Sequence, residues 1–108
     1  MAQLAQCSVY ENSNPRTKED VPFLLDVQSD LLSVLATRVV VPLYRSKAMA
    51  SSTITRLTPV VRFKGKTFVA VVPELAGISR RELGAAVGDL AQAREDILRA
   101  IDLLLTGF

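Results

Sequence analysis

Hydrophobic and polar positions change rhythm along this chain, from short alternating runs to a helical spacing near the end. Leu4 to Tyr10 alternates loosely, as a strand does when its side chains point in turn to a core and to solvent. Glu11 to Asp20 carries Asn12, Ser13, Asn14, Pro15 and a run of charges, which is loop chemistry. Val21 to Val27 returns as a strand, with Pro22 at its start, where a missing N–H is tolerable. These segments predict a first hairpin with a long, mobile tip. Gln28-Ser29-Asp30 breaks the second strand, and Leu31-Leu32 follows in a loop or short turn. Thr37 to Leu43 is the next strand, and the β-branched run Val39-Val40-Val41 fits burial on both faces. Pro42 limits which neighbour pairs there, because it has no donor. Arg45 to Thr55 is small and polar and reads as a surface connection with one helical turn.

Pro59 to Phe63 and Thr67 to Val72 form the clearest hairpin, joined across Lys64-Gly65-Lys66, where Gly65 supplies positive φ. Pro73 stops the second strand, and Glu74 to Ile78 reads as a linker. The helix start has two candidates. Ser79-Arg80-Arg81-Glu82 has capping-box spacing, with Ile78 and Leu83 as a staple. That start would place Gly84 and Gly88 in the helix interior, at a cost of about 2 kcal/mol relative to alanine. Asp89-Leu90-Ala91-Gln92 offers a second box with no glycine until Gly107, and the later start is preferred. It predicts a helix of about 17 residues, roughly 25 Å long, with Glu95 and Arg99 paired at i,i+4.

From Ile97 onward that helix is almost wholly apolar, with only Arg99 and Asp102 as polar relief before Thr106-Gly107-Phe108. A helix apolar all round needs cover on more than one side. One small domain covers one side, so the remainder points to a second copy or a protein partner. Strands followed by one C-terminal helix indicate an α+β fold, a strongly bent antiparallel sheet or small barrel with the helix across one face.

Composition narrows the chemistry. The 108 residues form one domain, 1–108, and 49% hydrophobic with 22% charged residues describes a folded soluble one. A net charge of +2 is too weak to imply nucleic acid by itself. The N-terminus lacks a basic n-region and an apolar h-region, and no apolar run approaches the roughly 18 residues of a membrane span. A cytoplasmic protein with no membrane association is expected. The absence of histidine removes the commonest general base, the Ser-His and Cys-His pairs and most transition-metal sites. The five glycines match neither a P-loop nor a dinucleotide fingerprint. No catalytic residue, metal site or cofactor is therefore assigned, and a binding protein is expected in place of an enzyme. Asp26, Gln28 and Asp30 share a strand face, but without histidine they read as turn and strand-end chemistry rather than a metal site. Arg56, Arg62, Lys64 and Lys66 read as a solvated hairpin face, and Cys7 as a small core residue.

Four stretches carry a resemblance to a known family. Leu25-Asp26-Val27-Gln28-Ser29-Asp30-Leu31-Leu32 looks like the segment near the N-terminus of the CcdB family, plasmid-maintenance toxins that poison DNA gyrase. Arg38-Val39-Val40-Val41-Pro42-Leu43, Leu57-Thr58-Pro59-Val60-Val61 and Asp96 to Asp102 follow in the same order and spacing. The resemblance covers the chain apart from the first hairpin, whose tip is longer here. It implies an SH3-like barrel shared with endoribonuclease toxins, a homodimer, and no enzymatic activity of its own. It further implies a CcdA-like antitoxin that neutralises the toxin, binds operator DNA and brings this chain to DNA only through that complex, so that the pair represses its own operon. Carried across by residue, Thr106, Gly107 and Phe108 correspond to the positions facing the gyrase A subunit. Leu31, Leu32, Asp102, Leu105 and Thr106 correspond to antitoxin contacts. The dimer seam falls on Ile97, Ile101 and Leu104. Thr106 departs from the family, because toxic members carry tryptophan there, so gyrase binding is weakened, redirected or lost. Two alternatives follow: a non-toxic or retargeted homologue that binds only its antitoxin, and a same-fold endoribonuclease.

Overall fold

In the computed structural model, which describes residues 5–49 and 55–107, the alternating segments become seven strands of one antiparallel sheet followed by one α-helix. The strands are β1 (Ser8–Asn12), β2 (Phe23–Asp26), β3 (Thr37–Arg45), β4 (Val60–Phe63), β5 (Lys66–Ala70), β6 (Ala76–Ser79) and β7 (Leu83–Asp89), and the helix is α1 (Arg94–Thr106). Leu4, residues 50–54 of the expected surface connection, and Phe108 lie outside the described residues. The order across the sheet is β4-β5-β3-β2-β1-β7, with β6 paired to β3 as well. The result is a strongly curled sheet, a half-barrel, with one C-terminal helix, the α+β fold that the pattern predicts.

Strand β3 explains the curl. One of its edges pairs with β2, from Val40↔Asp26 to Leu43↔Phe23. The other edge is shared end to end, by β6 over Thr37 to Val40 and by β5 over Leu43 to Arg45. Pro42 sits where one partner gives way to the other, and its carbonyl accepts the Val71 N–H at 3.1 Å. The missing donor of proline thus falls at a junction, where the ladder is interrupted in any case. Between β4 and β5 the turn places Lys64 at φ 52° and Gly65 at φ 77°, the geometry of a two-residue hairpin loop.

Period-2 alternation assigns the two faces. Val9, Leu25, Val41 and Leu43 share one face and join Phe63, Phe68, Ile97 and Ala100 in the core, so α1 closes that side. Phe23 packs edge-on against Phe63 and Phe68, at centroid distances of 5.2 and 5.4 Å. The opposite face carries Tyr10, Leu24, Asp26, Arg38, Val40, Pro42 and Tyr44. Within it Arg38 and Asp26 are fully buried and paired through two bonds, Nε to Oδ2 at 2.8 Å and Nη2 to Oδ1 at 2.9 Å. The third guanidinium nitrogen, Nη1, is buried without a partner among the described residues.

Four sequence expectations are corrected. Residues 76–79 and 83–89 are strands, not a linker and a stretch between helix candidates. Gly84 and Gly88 are there because β7 lies hard against its neighbours. A Cβ at Gly84 would meet the Glu11 carbonyl oxygen at 2.6 Å, and one at Gly88, where φ is 154°, would meet the Phe63 ring at 2.8 Å. Neither box starts the helix: Ser79 caps a short turn, its Oγ accepting the Arg81 N–H, Asp89 Oδ1 accepts the Ala91 N–H two residues on, and α1 begins at Arg94. Arg99 pairs with Asp96 at 3.4 Å, not with Glu95. The tip of the first hairpin is internally bonded, with Asn12 Nδ2 donating to Thr17 Oγ1 and to the Val21 carbonyl.

Two outcomes are expected. Replacing Arg38 alone by Met leaves Asp26 buried and uncompensated and costs about 3–5 kcal/mol, whereas Arg38→Met combined with Asp26→Leu recovers much of that loss. Urea unfolding of the single and double variants measures the difference. Gly84→Ala should cost about 1–3 kcal/mol, because the obstacle is backbone and cannot swing away; the same unfolding measurement reads it.

Candidate functional site

The loop between β2 and β3 presents the two most exposed large apolar side chains of the described residues, Leu31 and Val34, with two more beside them. Leu31 is 91%, Val34 87%, Leu32 48% and Leu35 43% exposed. An exposed apolar cluster of this kind is a candidate interaction surface. The loop is nonetheless firmly built. Ser29 Oγ accepts the Leu31 N–H and opens a short turn over Asp30–Leu32. Buried Gln28 donates from Nε2 to the Leu32 carbonyl at 2.8 Å and accepts the Val39 N–H at 3.1 Å. Arg80 reaches in from the turn after β6 and donates from Nη1 to the carbonyls of Ser33 and Leu35, at 3.2 and 3.4 Å. Held in this way, the loop loses little conformational freedom on docking. Leu31 and Leu32 were singled out from the sequence; Val34 and Leu35 were not. Their signal was present, in a five-residue stretch from Leu31 to Leu35 broken only by Ser33 and flanked by turn residues.

The end of α1 is the second exposed apolar element. Leu105 is 73% exposed, and Asp102, Thr106 and Gly107 are exposed as well. Thr106 turns its hydroxyl back to the Asp102 carbonyl at 2.6 Å. Gly107 takes φ 79° and donates its N–H to the Leu103 carbonyl at 2.9 Å, the left-handed stop of a helix. Its glycine is therefore explained by local geometry. Phe108 lies outside the described residues. Of the residues assigned to a dimer seam, Ile97 is 2% exposed and serves the chain's own core, so its side chain is not available to a second copy. Ile101 and Leu104 are half-buried against the same core. The apolar helix is thus covered more fully by its own sheet than its sequence suggests.

The two exposed elements stand apart within one chain. Gln6 donates its N–H to Asp30 Oδ1 and accepts from Arg94 Nε, which places the loop beside the first residue of α1. Asp102, Leu105 and Thr106 lie at the other end of the helix, with Thr106 about 18 Å along its axis. Leu31 and Leu32 are therefore not brought together with them.

A third feature was not foreseen. On the face opposite the core, a cleft of about 470 Å³ opens between the first hairpin tip and β6, over Leu24, Val40, Pro42 and Ile78. At its rim Tyr44 donates its hydroxyl to Glu74 Oε1 at 2.5 Å. That bond to a carboxylate, together with partial burial and the charges of Glu74 and Asp20, pushes the Tyr44 phenol up from 10.0 to about 12. Burial likewise raises Tyr10. The residues weighed as a metal set do not converge: Asp26 and Gln28 are buried on Arg38, while Asp30 is exposed and bonded to Gln6. Cys7 is buried at φ 73°, with its thiol pushed up by burial, the character of a core residue.

Because the folded state holds the Tyr44 proton beyond pH 10.0, the bond contributes fully below that pH and its contribution is lost as pH rises towards about 12. Ultraviolet titration should show Tyr44 ionising late, and Glu74→Gln should bring its midpoint back towards 10, with Tyr44→Phe identifying the transition.

Comparison with known proteins matches these features to a family. The family model described as CcdB protein matches residues 6–107, which spans every strand and the helix. Among solved structures, an endoribonuclease from a mycobacterial species superposes with a TM-score of 0.62 over 97% of this chain and 93% of its own, at 20% identity, a likeness of fold alone. No helix among the described residues is long and apolar enough to cross a membrane. A curled sheet closed by one helix, with its apolar loop exposed and its match running from end to end of the described fold, places the chain in the CcdB family, the toxins of toxin–antitoxin modules.

Proposed function

We propose that this chain is a gyrase-directed toxin that acts by binding and has no catalytic residues of its own. The family match over residues 6–107 carries the reading. In it, the exposed end of α1 at Thr106 meets the gyrase A subunit, together with Gly107 and the residue after it, Phe108. A CcdA-like antitoxin covers Leu31 and Leu32 together with Asp102, Leu105 and Thr106, and the complex, not the toxin alone, binds operator DNA. The separation of those two sets along α1 favours an antitoxin segment that is extended and long, because a compact ligand would reach only one of them. A homodimer would bring a second helix end alongside the first, with half-buried Ile101 and Leu104 as the remaining seam residues.

Thr106 supports a second reading, in which the chain binds antitoxin but no longer poisons gyrase. A buried tryptophan at a target interface is a frequent hot spot. Threonine offers far less area, and here its hydroxyl is turned back onto its own helix. The fold likeness to an endoribonuclease leaves a third reading, cleavage of single-stranded RNA.

Purified chain added to gyrase, DNA and ATP should trap cleaved complexes or inhibit supercoiling; no effect at micromolar excess removes the toxin reading. Thr106→Trp should tighten inhibition about 30-fold, the equivalent of a hot spot of about 2 kcal/mol. Inhibition gained only in that variant supports the antitoxin-binding reading of the natural chain. Cleavage of single-stranded RNA by the pure chain would favour the endoribonuclease instead.

A further inference from the structure

The face of the sheet away from α1 is closed at one end and open at the other. At the closed end Arg38, Asp26 and Tyr10 are buried. At the open end the cleft over Leu24, Val40, Pro42 and Ile78 has an apolar floor between two polar walls. Its rim carries two exposed carboxylates, Glu74 and Glu82, and no lysine or arginine lines it. That is against the grain of a chain with 13 basic and 11 acidic residues. Neither carboxylate has a cationic partner among the described residues. The walls are set in advance: Ser13 Oγ donates to the Glu82 carbonyl at 2.7 Å, and Asn12 ties the hairpin tip to Thr17. Strand β6, whose side chains line the cleft, pairs with β3 alone among the described residues and so has one open edge.

We propose that this cleft binds an extended peptide segment of another protein, one in which apolar side chains alternate with lysine or arginine. The open edge of β6 supplies main-chain hydrogen bonds to an added strand. The floor takes the apolar side chains, and the two carboxylates take the cations on the rim. A nucleic acid is disfavoured, because its phosphates would meet two carboxylates with no cation to offset them. The inference is independent of gyrase or antitoxin binding by the loop and the helix end.

The test uses the full chain, labelled for amide chemical-shift mapping, and an acetylated, amidated pentapeptide that alternates valine with lysine. Shifts should cluster at Leu24, Val40, Ala76 and Ile78, and weaken as salt is raised. Glu74→Gln with Glu82→Gln should raise the apparent Kd about tenfold, as two lost charge pairs predict. Both side chains are exposed, and a glutamine at 74 still offers an oxygen to the Tyr44 hydroxyl, so the variant keeps the fold, and its unperturbed core signals verify that. The proposal is overturned if the counterpart peptide with glutamate in place of lysine binds equally well, or if neither peptide shifts the cleft at millimolar concentration. It is also overturned if an oligouridine shifts the same residues, which assigns the cleft to RNA. Cleft signals that move with protein concentration alone would assign it to a second copy of the chain.

Discussion

The buried pair of Arg38 and Asp26 is the constraint on which the rest of this small fold depends. It joins β2 to β3 at the one place where the sheet's second face is sealed, with both side chains fully removed from water. Such a pair gives little net stability over an apolar substitute, since desolvation offsets the attraction. Its effect is on geometry. Asp26 also accepts the Gln28 N–H at 3.0 Å, and Arg38 reaches the Gln28 carbonyl. Gln28 in turn holds the Leu32 carbonyl. A chain of polar bonds therefore runs from the interior to an exposed leucine. The apolar loop stands in water without collapsing onto the domain because its base is fixed by directional bonds that no rearranged packing would satisfy.

The two faces of the sheet divide the work unequally. One is ordinary core, where aliphatic and aromatic side chains meet α1. The other combines a sealed polar end with an open cleft, and β3 serves both because its alternation sends Val41 and Leu43 one way and Arg38, Val40 and Tyr44 the other. A strand whose middle, Val39 to Leu43, reads as apolar thus carries a buried cation beside it on one face.

Much of this was legible in the sequence. The hairpin across Lys64 and Gly65, the strand from Thr37, the position of Pro42 and the apolar helix follow from period and turn chemistry. The strands β6 and β7 do not, because Gly77, Gly84, Ala85, Ala86 and Gly88 give little β-branched signal; their strand state is imposed by partners far away in sequence. The glycines that argued against an early helix were evidence of close packing on β1 and Phe63, which only the assembled sheet reveals. For the candidate site, Leu31, Leu32 and the helix end could be named from residues and resemblance. Their separation could not, since it depends on Gln6 bridging Asp30 and Arg94 across long stretches of chain. The cleft was illegible for the same reason: its lining comes from the first hairpin tip, β2, β3 and the segment from Glu74 to Glu82.

The three-residue turn Arg80–Glu82 holds both outer surfaces at once. Its first residue grips the apolar loop through the carbonyls of Ser33 and Leu35, and the carbonyl of its last residue receives Ser13 from the rim of the cleft. The spacing between the two surfaces is therefore an inherited length, set by one short strut. Lengthening or reshaping this turn would move both surfaces together, and neither alone.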